Sequence, residues 1–284
     1  IHLAMTAKAF LKFRTIKDNV LKLFDCSLDK AISKPICHFI LIIVLGIIGY
    51  SNTLNVPFQF DDLPNIVSNP IIRNLDIYLT PSKAVEYTGL AEYPLLINRY
   101  IGSLSFALNY KINGLDVTGY HVVNLLVHLI NSLLIYWFVQ LIFISLASGA
   151  GGDNPAFLKH GPTIALSCSL LFVAHPIETQ AVTYIVQRFA LLATMFYLFS
   201  MIMYTKARLT ISDSNNKDHG KNITIGALNY YLISLFTAVL AMKTKEIAFT
   251  LPAMIVLYEC LFFKGETKSR ILSLVPFILT MLII

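Results

Sequence analysis

The chain has 284 residues, 56% of them apolar and 13% charged, with a formal net charge of +6. A soluble domain carries roughly 25% charged residues, so this composition excludes an ordinary water-soluble globular protein and points to a membrane. Nucleic-acid binding has no support, because the basic residues flank apolar runs instead of gathering in one patch, and the scattered Cys26, Cys37, Cys168 and Cys260 give neither a disulfide framework nor a zinc spacing.

Residues 8–34 carry Lys8, Lys12, Arg14, Lys17, Lys22, Lys30 and Lys34, with Phe10, Phe13, Ile16, Val20 and Phe24 at helical spacing. The stretch 1–35 therefore reads as a basic amphipathic segment lying on the cytoplasmic membrane surface. A cleavable signal peptide does not fit, since the apolar run starts only at Ile36 and no small-residue cleavage site follows it. Residues 36–284 read as one transmembrane domain, an all-α polytopic membrane protein. Apolar runs at about 36–52, 121–147, 161–175, 189–205, 226–242, 248–263 and 271–284 predict about seven spans, the last one truncated. The stretch 95–110 is apolar but holds Asn98, Arg99 and Asn109, which predicts a helix at the interface.

With the N-terminus cytoplasmic, Lys159, the 206–225 loop with Lys206, Arg208, Lys217 and Lys221, and the loop with Lys264, Lys268 and Arg270 all fall on the cytoplasmic side. The opposite face receives the long loop 53–120, the loop 176–188 and the link 243–247, and the unusual residues collect there.

FQFDDLPNIVSNP places Asp61 and Asp62 just past the first apolar run. A carboxylate at the membrane surface can serve as general base on a hydroxyl, a pair can hold a divalent cation, and one Asp can simply cap the next turn. HPIETQAVTYIVQR sets His175 and Glu178 at one end of a boundary segment and Arg188 at the other, where ionisable groups mark a candidate site unless they only snorkel to the headgroups. AMKTKEIAF puts Lys243, Lys245 and Glu246 in a tight link. Two lysines suit a phosphate as point charges, the bland alternative being a surface pair with Glu246. His121, Asn124, His128 and Asn131 share one helix face. Such residues usually serve as interhelical hydrogen-bond glue, with His121 nearest the non-cytoplasmic end and so within reach of a substrate.

In this order and spacing, FDDLPNIVSNP, INRYIGSLSFALNY, GYHVVNLLVHLINSLLIY, HPIETQAVTYIVQR and KTKEIAFTLP resemble the membrane domain of the GT-C glycosyltransferases, above all the O-mannosyltransferase-like transmembrane proteins that carry tetratricopeptide repeats. The resemblance covers most of the chain from Phe58 to Pro252. It implies a GT-C-type fold and transfer of a sugar, typically mannose, from a polyprenyl-phosphate donor to a hydroxyl acceptor, protein in the first instance, on the non-cytoplasmic face. The catalytic acid of that family matches Asp61, with Asp62 as the second acid. The substrate-binding set is then Arg99, His121, His175, Glu178, Arg188, Lys243, Lys245 and Glu246, with no metal and no cofactor, a divalent ion being the alternative. Relatives often carry an acid directly after the arginine that matches Arg188, where this chain has Phe189, and the repeats expected after the membrane domain are missing from this fragment. HPIETQAVTYIVQRF and AMKTKEIAFTLP look more like the bacterial members, which implies a periplasmic active face in the inner membrane and an undecaprenyl-type donor. An animal relative would work in the endoplasmic reticulum with a dolichyl donor. Two other classes remain open at this point: a transporter or flippase of an anionic lipid or sugar phosphate, with the His121–Asn131 face lining its path, and a non-catalytic membrane anchor for interaction repeats.

Overall fold

A computed structural model of the chain describes residues 34–80, 98–149, 155–215, 220–263 and 267–283. The basic N-terminal segment expected over 1–35 lies almost wholly outside these residues. Among them, every regular element is helical.

Each of the seven apolar runs forms a helix. They are α1 (Pro35–Tyr50), α4 (Val117–Gly149), α5 (Pro155–Ala174), α7 (Arg188–Asn215), α8 (Gly220–Met242), α9 (Leu251–Phe262) and α10 (Thr267–Thr280). Between α1 and α4 come the one-turn α2 (Asp76–Leu79) and then α3 (Tyr100–Asn113), the helix expected at the interface, while the short α6 (Glu178–Thr183) precedes α7. Four stretches are long and apolar enough to cross a membrane: Pro35–Thr53, Val117–Ala147, Ile185–Ser212 and Ile225–Met242. The apolar parts of α5 and α10 are shorter, Leu158–Ala174 and Arg270–Thr280, and α9 has only 12 residues. Seven spans were expected, and four have the length that a ~30 Å hydrocarbon core demands.

The chain is an all-α integral membrane protein, and α4 and α7 form its centre. Helix α4 packs against α1, α5 and α7, and α7 packs most extensively against α8. Lipid is as apolar as leucine, so helices in a membrane associate through close packing and polar cross-links. Both devices are present. A side chain at Gly46 would meet Leu129 at 2.4 Å and Val173 at 2.9 Å, so glycine lets α1 nest against α4 and α5. Ser132 and Ser169 each donate to the other's carbonyl at 3.0 Å, tying α4 to α5. Ser200 and Ser234 do the same at 2.8 Å between α7 and α8. Each such bond contributes about 0.6 kcal/mol on average.

At the end away from the acidic loop, Glu259 of α9 is completely buried. It accepts bonds from the Tyr204 hydroxyl at 2.8 Å, from Arg208 at 2.8 Å through both Nε and NH2, and from Arg270 Nε at 3.1 Å. The sequence places Arg208 and Arg270 in cytoplasmic loops. They instead belong to α7 and α10 and turn onto the buried Glu259 carboxylate, meeting its oxygens with hydrogen bonds. Lys206 lies over the rings of Trp137 and Tyr230 at 4.8 and 4.9 Å.

Candidate functional site

The chain leaving α1 is pinned before it reaches α2. Ile66, Ile71, Ile72 and Ile77 are buried with Phe106, Tyr120, Ile185, Val186 and Phe189 in one apolar cluster. Pro64 and Pro70 keep the stretch from forming one continuous helix, so it proceeds as a π turn over Leu63–Val67 and a 3-10 turn over Ile71–Arg73. Arg73 closes it by donating to the Val67 carbonyl at 2.6 Å. The first part of the long loop, residues 58–79, is thereby packed as a ledge on the end of the bundle.

Asp61 and Asp62 sit at the head of this ledge and have different surroundings. Asp62 is 1% exposed and is spent on the fold. Its Oδ1 accepts the Val186 N–H at 2.7 Å and its Oδ2 the Gln59 N–H at 3.0 Å. Burial pushes its pKa above the ordinary value, and the charge of Asp61 adds to this, against the pull of those two N–H donors and of His121. Asp61 is exposed, and its backbone N–H donates to the Tyr184 hydroxyl at 2.9 Å. Phe60, immediately before it, has φ +43° and a ring 80% exposed. A left-handed phenylalanine is strained backbone that only surrounding contacts can hold, and here the Asp62 contacts and the Tyr184 bond hold it.

The segment after α5 supplies the other half of that clamp. His175 is exposed and accepts the Ile177 N–H at Nδ1, 3.2 Å away, and Glu178 faces Tyr50 and His175. Burial raises the pKa of Glu178, with the His175 charge opposing. These two residues lie beside the end of α1. Further along, the 3-10 turn Ile185–Gln187 is the hub: Tyr184 and Val186 hold the acidic turn, and the Gln187 side chain accepts from Lys245 Nζ at 3.1 Å.

Arg188 follows the hub and is fully buried. Its Nε donates to Asn124 Oδ1 at 2.8 Å and its NH2 to the Tyr120 carbonyl at 2.9 Å, and NH1 points at the Ser105 carbonyl 3.4 Å away. The guanidinium also stacks over Phe106 at 4.5 Å. It thus cross-links α3, α4 and the start of α7 beneath the surface. Phe189 packs into the space that Gly102 leaves open: a Cβ at Gly102 would come within 2.2 Å of its ring.

The Lys243–Glu246 link arrives beside the hub. Glu246 pairs with Arg99, Oε1 to Nε at 2.9 Å and Oε2 to NH2 at 3.0 Å, so the expected lysine–Glu246 pair gives way to a bidentate arginine contact. Burial would raise the Glu246 pKa, yet the bonded Arg99 outweighs it and holds the carboxyl below its usual value. Lys245 is shifted down, by burial first and then by the neighbouring Arg99. Lys243 is half-buried, and its carbonyl accepts the Ile101 N–H at 3.0 Å, which fastens α3 to this link.

The polar face of α4 is fully buried and engaged with its neighbours. His121 Nε2 meets the Val56 carbonyl at 2.8 Å, Asn124 donates to the Val182 and Ile185 carbonyls at 3.2 Å, His128 meets the Val173 carbonyl at 3.2 Å and Asn131 donates to the Leu191 carbonyl at 3.0 Å. The glue reading describes what these side chains do. His121 and Asn124 additionally fix the two loops that make the site.

The structure therefore brings Asp61, Asp62, Arg99, His121, Arg188, Lys243, Lys245 and Glu246 into one connected region and sets His175 and Glu178 beside α1. It adds Tyr184, Gln187 and Gln59, which carry no charge and follow no periodicity that would single them out. Among the described residues, no group of three or more His, Cys, Asp or Glu side chains gathers where it could hold a metal ion.

Comparison with known proteins finds similarity to protein O-mannosyl-transferases. The chain is 32% identical over 183 residues to the protein O-mannosyl-transferase F38B6.6 of Caenorhabditis elegans, covering 63% of this chain and 24% of that protein. It is 29% identical over 242 residues to protein O-mannosyl-transferase Tmtc3 of Drosophila melanogaster, 80% of this chain and 24% of that one. It is 27% identical over 249 residues to protein O-mannosyl-transferase TMTC4 of Mus musculus, 84% and 31%. Over most of its length the chain is thus similar to the TMTC-type protein O-mannosyl-transferases, and it spans about a quarter to a third of the length of these relatives. No family model matches the chain. No solved structure matches it.

Proposed function

We propose that the chain is the membrane part of a GT-C-type glycosyltransferase that moves mannose from a polyprenyl-phosphate donor to a protein hydroxyl on the non-cytoplasmic face. One observation carries this reading: the Tyr184–Gln187 hub joins an exposed carboxylate, held on a packed ledge, to a group of cations. The O-mannosyl-transferase relatives supply the sugar and the protein acceptor.

Asp61 takes the acceptor hydroxyl proton as the acceptor oxygen bonds to the sugar's anomeric carbon, and the bond from that carbon to the phosphate oxygen breaks with its electron pair leaving on the phosphate. Displacement in one step inverts the anomeric centre. Negative charge grows on the departing phosphate, and fixed cations stabilise it at no reorganisation cost. Lys245 and Lys243 meet it, with Arg99 held beside Lys245 by Glu246. Asp62 and Arg188, both buried, position the base and the hub. His121 holds the start of the ledge, while His175 and Glu178 flank the side where the acceptor or the lipid carrier approaches. No divalent ion is required, and loss of activity on chelation would overturn that part. The relatives reported are animal proteins, which favours the endoplasmic reticulum and a dolichyl carrier over the periplasmic alternative.

The test is transfer of radiolabelled mannose from polyprenyl-phosphate mannose to protein in membranes holding the full-length chain. Transfer by the wild type and not by Asp61→Asn supports the reading, and equal transfer by both removes Asp61 as the base.

A further inference from the structure

The residue that presents Asp61 is not an ionisable partner of the reaction but a phenol. The Tyr184 hydroxyl accepts the Asp61 N–H at 2.9 Å and lies against the Asp61 carboxylate as well. Its ring stands edge-on to Phe60 at 6.5 Å. Two residues on, the Val186 N–H binds the Asp62 carboxylate. Asp61 is therefore fixed on both sides of its own backbone, by one bond at its own amide and one through its successor, and both come from the same short segment.

We propose that Tyr184 is a positioning residue for Asp61, an assignment that rests on the glycosyl-transfer reading of the site. An exposed aspartate has free rotation about two side-chain torsions, and a general base must lie within hydrogen-bonding reach of the proton it removes. The phenol oxygen uses a lone pair to accept the Asp61 N–H, leaving its own O–H to point at the carboxylate. That donation selects one orientation of the carboxylate and leaves its second oxygen for the acceptor. The phenol keeps its proton throughout, because burial first, and the two adjacent carboxylates with it, raise its pKa against the opposing pull of the Asp61 N–H. Strain at Phe60 becomes intelligible in the same terms: it turns the Asp61 amide toward Tyr184.

The test compares wild type and Tyr184→Phe in full-length chain, measuring mannose transfer from polyprenyl-phosphate mannose together with amide exchange at residues 59–63. Phenylalanine keeps the ring and its contact with Phe60 and removes only the hydroxyl. The expected result is a fall in kcat of about tenfold with KM for the donor unchanged. The Asp61 amide exchanges faster while the Asp62 amide, bonded to the Gln59 carbonyl, keeps its rate. Wild-type kcat and exchange in the variant would overturn the role of Tyr184 and leave the enzyme reading standing. A fall in kcat with the Asp62 amide also exchanging faster would make the hydroxyl merely structural and overturn the assignment too. No transfer by the wild type itself would instead overturn the enzyme reading and, with it, the role.

Discussion

At one end of the bundle Glu259 has no exposure and receives hydrogen bonds from Tyr204, Arg208 and Arg270. At the other end Asp61 stands exposed, and the cations nearest its hub are bonded to glutamine and glutamate side chains. Both carboxylates lie close to arginines or lysines in a membrane protein, and a count of charges would treat them alike. The difference is desolvation. A buried carboxylate is stable only if every lone pair is met, which leaves Glu259 nothing to offer a substrate, whereas Asp61 keeps its capacity because its neighbour Asp62 does the structural work.

Asp61→Asn should draw this contrast most sharply. Transfer should fall by about 10²–10⁴-fold, the usual worth of a general base, with unchanged thermal unfolding in detergent. Glu259→Gln should do the reverse. Removing one partner of a buried ionic cluster costs about 3–5 kcal/mol, so the unfolding temperature drops while transfer per folded molecule stays the same. Asp62→Asn should fall between the two, because an amide retains one acceptor oxygen for two N–H donors. Leaving one of those donors unmet costs about 1–3 kcal/mol, read as faster exchange of the Val186 or Gln59 amide and a partial loss of transfer. Glu246→Gln should be smallest, under about 1 kcal/mol at neutral pH for a pair this exposed. Because Arg99 holds the Glu246 carboxyl below its ordinary 4.5, the pair's contribution is present above that pH and is lost on acidification. Wild type and Glu246→Gln should therefore converge in stability as the pH is taken well below 4.5.

The helices were legible in the sequence because unbroken apolar runs leave few alternatives, although four of the seven expected spans reach spanning length, and the three loops that the sequence grouped together do meet. The partners were not. Periodicity put His121, Asn124, His128 and Asn131 on one face without saying that each would bond a backbone carbonyl of another segment. Arg188 joined the substrate-binding set because it is basic and near the boundary, and nothing in the sequence said that carbonyls and rings would enclose it. Glu259 passed unnoticed because one acid in YEC gives no hint of arginines that arrive from two other helices. By residue type Asp61 and Asp62 were alike and the resemblance alone ranked them, whereas in the structure the N–H groups of Gln59 and Val186 separate them.

The ring of Phe189 against Gly102 ties two distant positions into one choice. Across relatives they should covary: a side chain at the position of Gly102 calls for something smaller than phenylalanine at 189. Where the residue after the arginine is acidic, the carboxylate would stand under the guanidinium of Arg99, which here lies 5.5 Å above the Phe189 ring, and would compete with Glu246 for it. A single replacement at 189 is therefore a rewiring of the cation group as well as a packing change.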